Sequence, residues 1–351
     1  MQRVHVATTH DAFPYFRQTP AGDGRWGNVQ FALEDPDERA DWLVVFDEPS
    51  VGLETNVPVE RRILFVWEPP ELKVYDLSYL DQFGTVVSPV PLPGYGRHWV
   101  QSQSALPWFV GVDMRDGVNI ETMVNEQGLL DAKGWDEVLD FFDAPKTKLL
   151  SVVCSNKTRL EGQRERLAFV EALKVALGDQ VDVFGRGFNR VNDKAEALAS
   201  YKYHIALENN RHDHFWTEKL ADAYLGGTFP IHAGCQNLSE YFPQGSYASI
   251  DIRDIEASVE TVKRVISADP WGMSRQLRLA ARDKVMMEHN VFAIVVGILE
   301  ENANSARSSQ GSGKSKSQIS PNGYFLSHGT KARLARWYGY LRSWAGKVRE
   351  Y

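Results

Sequence analysis

The feature that most constrains this chain is the succession of short apolar runs and helical periods that begins at Lys148. LLSVVCS at 149–155 is a continuous apolar run of strand length, and residues 159–177 then place Leu167, Val170, Leu173 and Leu177 at helical spacing. VDVFG at 181–185 predicts a strand, 194–200 a helix and YHIALEN a strand over 203–209. A helix is expected over 217–225, with further strands over 228–232 and 248–252. Such alternation predicts an α/β fold: a doubly wound parallel sheet with right-handed crossovers, whose ligands collect beyond the carboxyl ends of the strands.

The earlier half carries a second set of short runs rich in Val, Ile and aromatics, at 4–8, 42–46, 63–67 and 85–87. Strands in a three-layer α/β arrangement are expected there, followed by Pro-rich and aromatic loops over 89–108 and a helix over 136–142. The 351 residues suit two domains better than one, and 43% hydrophobic with 24% charged residues describes a globular protein. The expected division is 1–145, 146–302, a flexible linker over 303–328 and a basic amphipathic helix over 329–351. The Ser-, Gly- and Lys-rich stretch at 302–322 prompts the linker, and Leu334, Trp337, Tyr338, Leu341, Trp344 and Val348 gather on one face of the helix.

Net charge is -7, unevenly spread: after Ala303 nine Lys and Arg residues face a single acid, Glu350. Nucleic acid is a poor partner for a chain whose remainder is acidic. The basic tail suits either an anionic membrane surface or packing against protein. Cys154 and Cys235 lack metal-ligand spacing, so free thiols in a reducing compartment are expected, and the N-terminus lacks the apolar core of a signal peptide. A cytoplasmic protein, peripheral on the membrane at most, follows as the expectation.

The chemistry concentrates between Tyr203 and Gly234. Glu208 and Asn209 end one strand, and Thr217, Glu218 and Lys219 open the next helix. A nucleotide-sugar diphosphate needs cations and amide donors for its phosphates and a carboxylate for its ribose hydroxyls, and Thr-Glu-Lys at a helix start supplies both. The segments LEN (207–209), TEKL (217–220), GGTFPIHAG (226–234) and YFPQGSYASIDIRD (from Tyr241) together resemble the donor-site motifs of family 10 glycosyltransferases, the α1,3/4-fucosyltransferases. The resemblance spans roughly residues 147–265, and the first domain is similar only loosely.

That resemblance implies a GT-B architecture, two Rossmann-like domains facing a cleft, and an inverting, metal-independent transfer of fucose from GDP-fucose to an oligosaccharide or glycolipid acceptor containing N-acetylglucosamine. It implies that Asn209, Glu218 and Lys219 contact the GDP part, Glu218 on ribose and Lys219 on phosphate. Arg166, in RLAFVEAL, would bind the diphosphate, for which a planar guanidinium is chemically suited. Arg186, between Gly185 and Gly187, is either a nucleotide contact or part of a tight turn. Glu68 in WEPPE resembles the strand-end base of the family, with Glu71 in reserve; one carboxylate is enough to deprotonate an acceptor hydroxyl. Phe215-Trp216 stands where the family has Tyr-Val, which removes a hydroxyl near the donor. His212, Asp213 and His214 and the Asp35-Pro36-Asp37 triplet read as loop residues and not as metal ligands. A transferase for another GDP- or UDP-sugar, and a nucleotide-sugar-binding protein without turnover, are the competing readings.

Overall fold

The computed structural model describes residues 1–11, 13–33, 35, 39–49, 53–114, 131–158, 160–305 and 316–322. Its first domain is built on a seven-stranded sheet. The strands of this half are β1 (Gln2–Thr8), β2 (Arg25–Trp26), β3 (Val29–Ala32), β4 (Trp42–Phe46), β5 (Glu54–Thr55), β6 (Arg62–Phe65), β7 (Thr85–Ser88) and β8 (His98–Gln101). Spatial order is β2-β3-β1-β4-β6-β7-β8, parallel throughout except for the β2–β3 pair. β4 shows why WLVVF reads as a strand buried on both sides: Trp42, Val44 and Phe46 enter one core, while Leu43 and Val45 enter another on the opposite face.

The four runs expected as strands are strands, and the sheet also includes β2, β3 and β8, which short or polar sequence hid. Helices between these strands are scarce: among the described residues only α1 (Leu77–Leu80) and single 3-10 turns occur before α2 (Trp135–Asp140). The helix that covers one face comes instead from far along the chain. In α8 (Val291–Ser305), Val291, Phe292, Val295, Ile298 and Leu299 join the core of Val4, Phe31 and Phe46, with the Phe31 and Phe292 rings 4.8 Å apart. Residues 291–302, assigned from sequence to the second domain, therefore pack on the first.

The second domain has five parallel strands, β9 (Lys148–Val153), β10 (Val181–Phe184), β11 (Tyr201–Leu207), β12 (Phe229–Ala233) and β13 (Ala248–Ser249), in the order β10-β9-β11-β12-β13. α3 (Glu161–Leu177) buries Phe169, Val170 and Leu173 against this sheet, as does α5 (Ile255–Ala268) with Val259 and Val262. α4 (Glu218–Leu225) packs with α7 (Arg275–Met287), and the short α6 (Pro270–Met273) precedes α7. The helix expected over 194–200 is a 3-10 turn at Lys194–Ala197, and the strand expected over 248–252 shrinks to two residues. Two parallel sheets whose strand ends meet across a cleft make this a GT-B architecture.

The expected flexible linker requires correction at its far end. β14 (Ser317–Gln318) pairs antiparallel with β5, Ile319 is buried, and the Asn322 side chain accepts from the Asp76 N–H at 3.0 Å and donates to Val74 O at 2.7 Å. One apolar residue and a few hydrogen bonds thus tie 316–322 to the first domain despite its polar composition. The expected helix over 329–351 lies outside the described residues. Cys154 and Cys235 are buried free thiols.

Candidate active site

Residues following β6 in the first domain and β9, β10 and β11 in the second line a single cleft. Trp67, Glu68, Pro69 and Leu72 form one wall; Ser155, Arg166, Arg186, Asn209, Glu218 and Lys219 contribute to the other. Six residues singled out from sequence, Glu68, Arg166, Arg186, Asn209, Glu218 and Lys219, thus come together from two domains. Glu71 does not line this cleft. Its carboxylate lies 2.8 Å from His212 Nε2, linking the first domain to the 208–216 loop of the second.

The Thr-Glu-Lys start of α4 is held by a strand-end carboxylate. Glu208, 3% exposed, accepts from Thr217 N at 2.9 Å, and both its oxygens lie 2.9 Å from the Thr217 hydroxyl. This clasp closes the intervening loop and fixes the helix N-terminus toward the cleft. Lys219 Nζ sits 3.3 Å from Glu208, 3.2 Å from Glu218 and 2.9 Å from Thr217 Oγ1. Burial alone would raise the Glu218 pKa, but the ammonium groups of Lys219 and Lys194, with the Thr217 hydroxyl, outweigh it and hold the group down to about 2. Glu218 is therefore an ionised acceptor at any physiological pH.

Lys194 lines the cleft without having been singled out. Its ammonium is 2.9 Å from Asp222 and 3.6 Å from Glu218, and Asp222 in turn accepts from the N–H groups of Phe109 and Val110 at 3.1 and 3.2 Å. Nothing in KAEALASY marks this lysine, because its partners lie 24 or more residues away in sequence. Residues 108–111 connect the domains, and on their other side Arg17 donates to the carbonyls of Trp108, Val110 and Lys133. Asp193 accepts from Gly111 N at 2.8 Å.

Arg166 is 6% exposed; Nη1 reaches Leu207 O at 3.4 Å, and Nε has no partner among the described residues, a donor available to a bound anion. Gly185 and Gly187 set Arg186 in a tight turn that also lines the cleft, so the turn and a contact to a ligand there are compatible. Both glycines have positive φ, and a Cβ on Gly185 would lie 2.3 Å from Cys154 O. Phe215 lines the cleft, whereas Trp216 turns away to pack on Tyr241, Phe242 and His289. Hence only Phe215 of this pair faces the cleft. His214 Nδ1 pairs with the Tyr241 hydroxyl at 2.7 Å, so the two loop histidines serve different partners. Asp35 accepts from the N–H groups of Arg39 and Ala40, while Pro36 and Asp37 lie outside the described residues.

Glu68 stands in a supported turn. Its N–H reaches the Tyr75 hydroxyl at 3.4 Å, and Tyr75 donates to Asp47, a buried carboxylate that also binds Lys73 at 2.8 Å. Asp47, with φ 62°, and Glu48 flank Lys73 at the end of β4. The candidate base is thus carried on a charged network that the second domain does not touch through any of these bonds.

The cleft thus sets the carboxylate that follows β6 on one domain across from Arg166, Lys219 and the ionised Glu218 of the other. Residues 144–269 match the family model described as glycosyltransferase family 10 (fucosyltransferase) C-term. The chain is similar to mouse 4-galactosyl-N-acetylglucosaminide 3-alpha-L-fucosyltransferase 9, 28% identical over 134 residues that make up 36% of this chain and 35% of the relative. It is similar also to the Helicobacter pylori alpha-(1,3)-fucosyltransferase FucT, 31% identical over 78 residues, 22% of this chain and 16% of the relative. The matched region spans less than half the length of these curated relatives. A crystal structure of an alpha1,3-fucosyltransferase with GDP-fucose covers 86% of this chain and 89% of its own at 16% identity, with a TM-score of 0.46.

Proposed function

We propose that this protein transfers fucose from GDP-fucose, with inversion and an α1,3 linkage, to a glycan containing N-acetylglucosamine. The observation that carries the proposal is the convergence of Glu68 from one domain with Arg166, Asn209, Glu218 and Lys219 from the other on one cleft. The family 10 match and the fucosyltransferase relatives support the class of sugar moved. Glu68 takes the proton of the acceptor hydroxyl as that oxygen bonds to the sugar carbon, and the bond to the diphosphate breaks on the opposite face. Arg166 and Lys219 neutralise the charge that develops on the departing diphosphate, so the step as proposed draws its positive charge from side chains and needs no metal. Glu218 accepts from ribose hydroxyls.

The test is a thermal-shift panel of nucleotide sugars followed by transfer assays on N-acetylglucosamine and β-galactoside acceptors. Glu68→Gln is expected to lower kcat by about 10²–10⁴-fold while the Kd for GDP stays unchanged. Preference for a UDP-sugar would overturn the donor assignment, and GDP binding without transfer to any acceptor would favour a binding protein over an enzyme. A second element of the proposal concerns the basic segment 329–351, which would hold the enzyme on the cytoplasmic face of an anionic membrane and near lipid-carried acceptors. Flotation with phosphatidylglycerol vesicles should be lost in a chain ending at Asn322, which keeps the docked 316–322 segment; equal flotation would refute the membrane contact.

A further inference from the structure

A second cavity, of about 330 Å³, lies within the second domain at the ends of β12 and β13, where the N-terminal turn of α3 also reaches. That volume is at the lower end of the ~300–1,000 Å³ range of small-molecule sites. It shares Glu208, Asn209 and Asn210 with the active-site cleft, so the two hollows flank one loop.

Three of its lining residues have a buried side-chain atom with no partner among the described residues: Asn209 Oδ1, Asn210 Nδ2 and His232 Nδ1. Buried polar atoms are normally paired, so three on one cavity are a complementary surface for something polar. Their donor and acceptor character can be assigned. His232 is 1% exposed, and burial, helped by Lys219, brings its pKa down to about 3, which leaves it neutral. Its Nε2 accepts from Cys235 N at 3.1 Å, so the ring proton sits on Nδ1 as a spare donor. Asn210 Oδ1 takes the His212 N–H at 3.1 Å, which leaves the amide nitrogen as the second donor. Asn209 offers an acceptor.

Charge decides what kind of ligand suits these atoms. Arg211 is engaged by Glu165 and Asp251, Asp251 also pairs with Arg253, and Glu208 pairs with Lys219, so the charges around the walls are already matched and favour no charged ligand. A neutral molecule that donates and accepts at adjacent positions is required, which is the chemistry of vicinal hydroxyls on a sugar ring. We propose that this cavity is a subsite for a neutral monosaccharide ring, held by Asn209, Asn210 and His232. The proposal rests on the glycosyltransferase reading, under which the ring belongs either to the donor sugar or to the acceptor glycan.

Ser249→Trp, at the exposed end of edge strand β13, fills the cavity from solvent, and Asn210→Ala removes one donor. Retained melting temperature and circular dichroism would establish that each variant folds. With Kd for GDP unchanged, a tenfold or greater rise in the Kd for GDP-fucose places the donor sugar in the cavity. A tenfold or greater rise in acceptor KM with donor affinity unchanged places an acceptor ring there. If all three constants are unchanged in folded Ser249→Trp, the cavity holds water only and the proposal is overturned. Failure of the functional reading would show separately, as wild-type protein that binds no GDP-fucose. Saturation-transfer NMR with free fucose and N-acetyllactosamine then decides: signals in wild type that vanish in Ser249→Trp uphold the subsite, and their absence in wild type sinks it.

Discussion

Glu218 is enclosed by charge of the opposite sign, and that fixes both its chemistry and its pH response. Its folded pKa of about 2 lies below the ordinary 4.5, so its ionisation contributes stability that is fully present above about pH 4.5 and is lost as pH falls from 4.5 through 2. Glu218→Gln should therefore flatten the decline of urea stability across that window, and at pH 7 it should cost about 1.5–3 kcal/mol through the weakened bonds to Lys194 and Lys219. The same substitution should weaken GDP binding about tenfold or more, because a neutral amide replaces the ionised acceptor proposed for ribose. A pH profile identical to wild type would show that the carboxylate is not the group the two lysines hold. Thr217, Glu218 and Lys219 were legible in sequence because they are contiguous and sit at a helix start. Lys194 and Asp222 were not, since each is an ordinary residue until folding sets them 2.9 Å apart.

At the scale of elements, local pattern revealed pieces whose partners are neighbours and missed those whose partners are distant. The parallel strands β4, β6, β9 and β11 carry their own signal, because burial on both faces demands a continuous apolar run. β8, with its exposed and half-buried HWVQ, belongs to the sheet only through β7. Residues 291–302 fall within the second domain on sequence and pack on the first in the structure, because an apolar run says that a segment packs and not on what. The 316–322 segment is the extreme case. Ile319 is 1% exposed, its N–H bonds to Leu53 O at 2.9 Å, and Arg62 donates to the Ser317 hydroxyl. Ile319→Ala should accordingly cost about 2–5 kcal/mol, the range for truncating a buried aliphatic side chain. A flexible linker would tolerate the change within about 0.5 kcal/mol, as an exposed site does, so chemical denaturation of this single variant separates the two descriptions.

Taken whole, the molecule joins its domains in ways that make independent unfolding unfavourable. Residues 108–111 lie at their junction, where Arg17 grips one side and Asp222 and Asp193 the other, and the chain returns to the first domain through Asn290, whose amide donates to Gln18 O at 2.7 Å, into α8. The clamp also connects the proposed nucleotide site to the first domain, since Lys194 bridges Glu218 to the carboxylate that receives the Phe109 and Val110 amides. A ligand that binds only the second domain should then raise the melting of both. GDP at one hundred times its Kd stabilises the folded state by about 2.7 kcal/mol, and calorimetry should show one transition moving upward as a unit. Lys194→Met leaves Asp222, whose carboxylate burial already biases toward protonation, without its ammonium partner and weakens the link at its centre. In that variant the endotherm should broaden or split, with GDP shifting chiefly the component that contains α4. Two transitions in the wild type, only one of them sensitive to GDP, would show that the domains melt separately and that the clamp does not couple them.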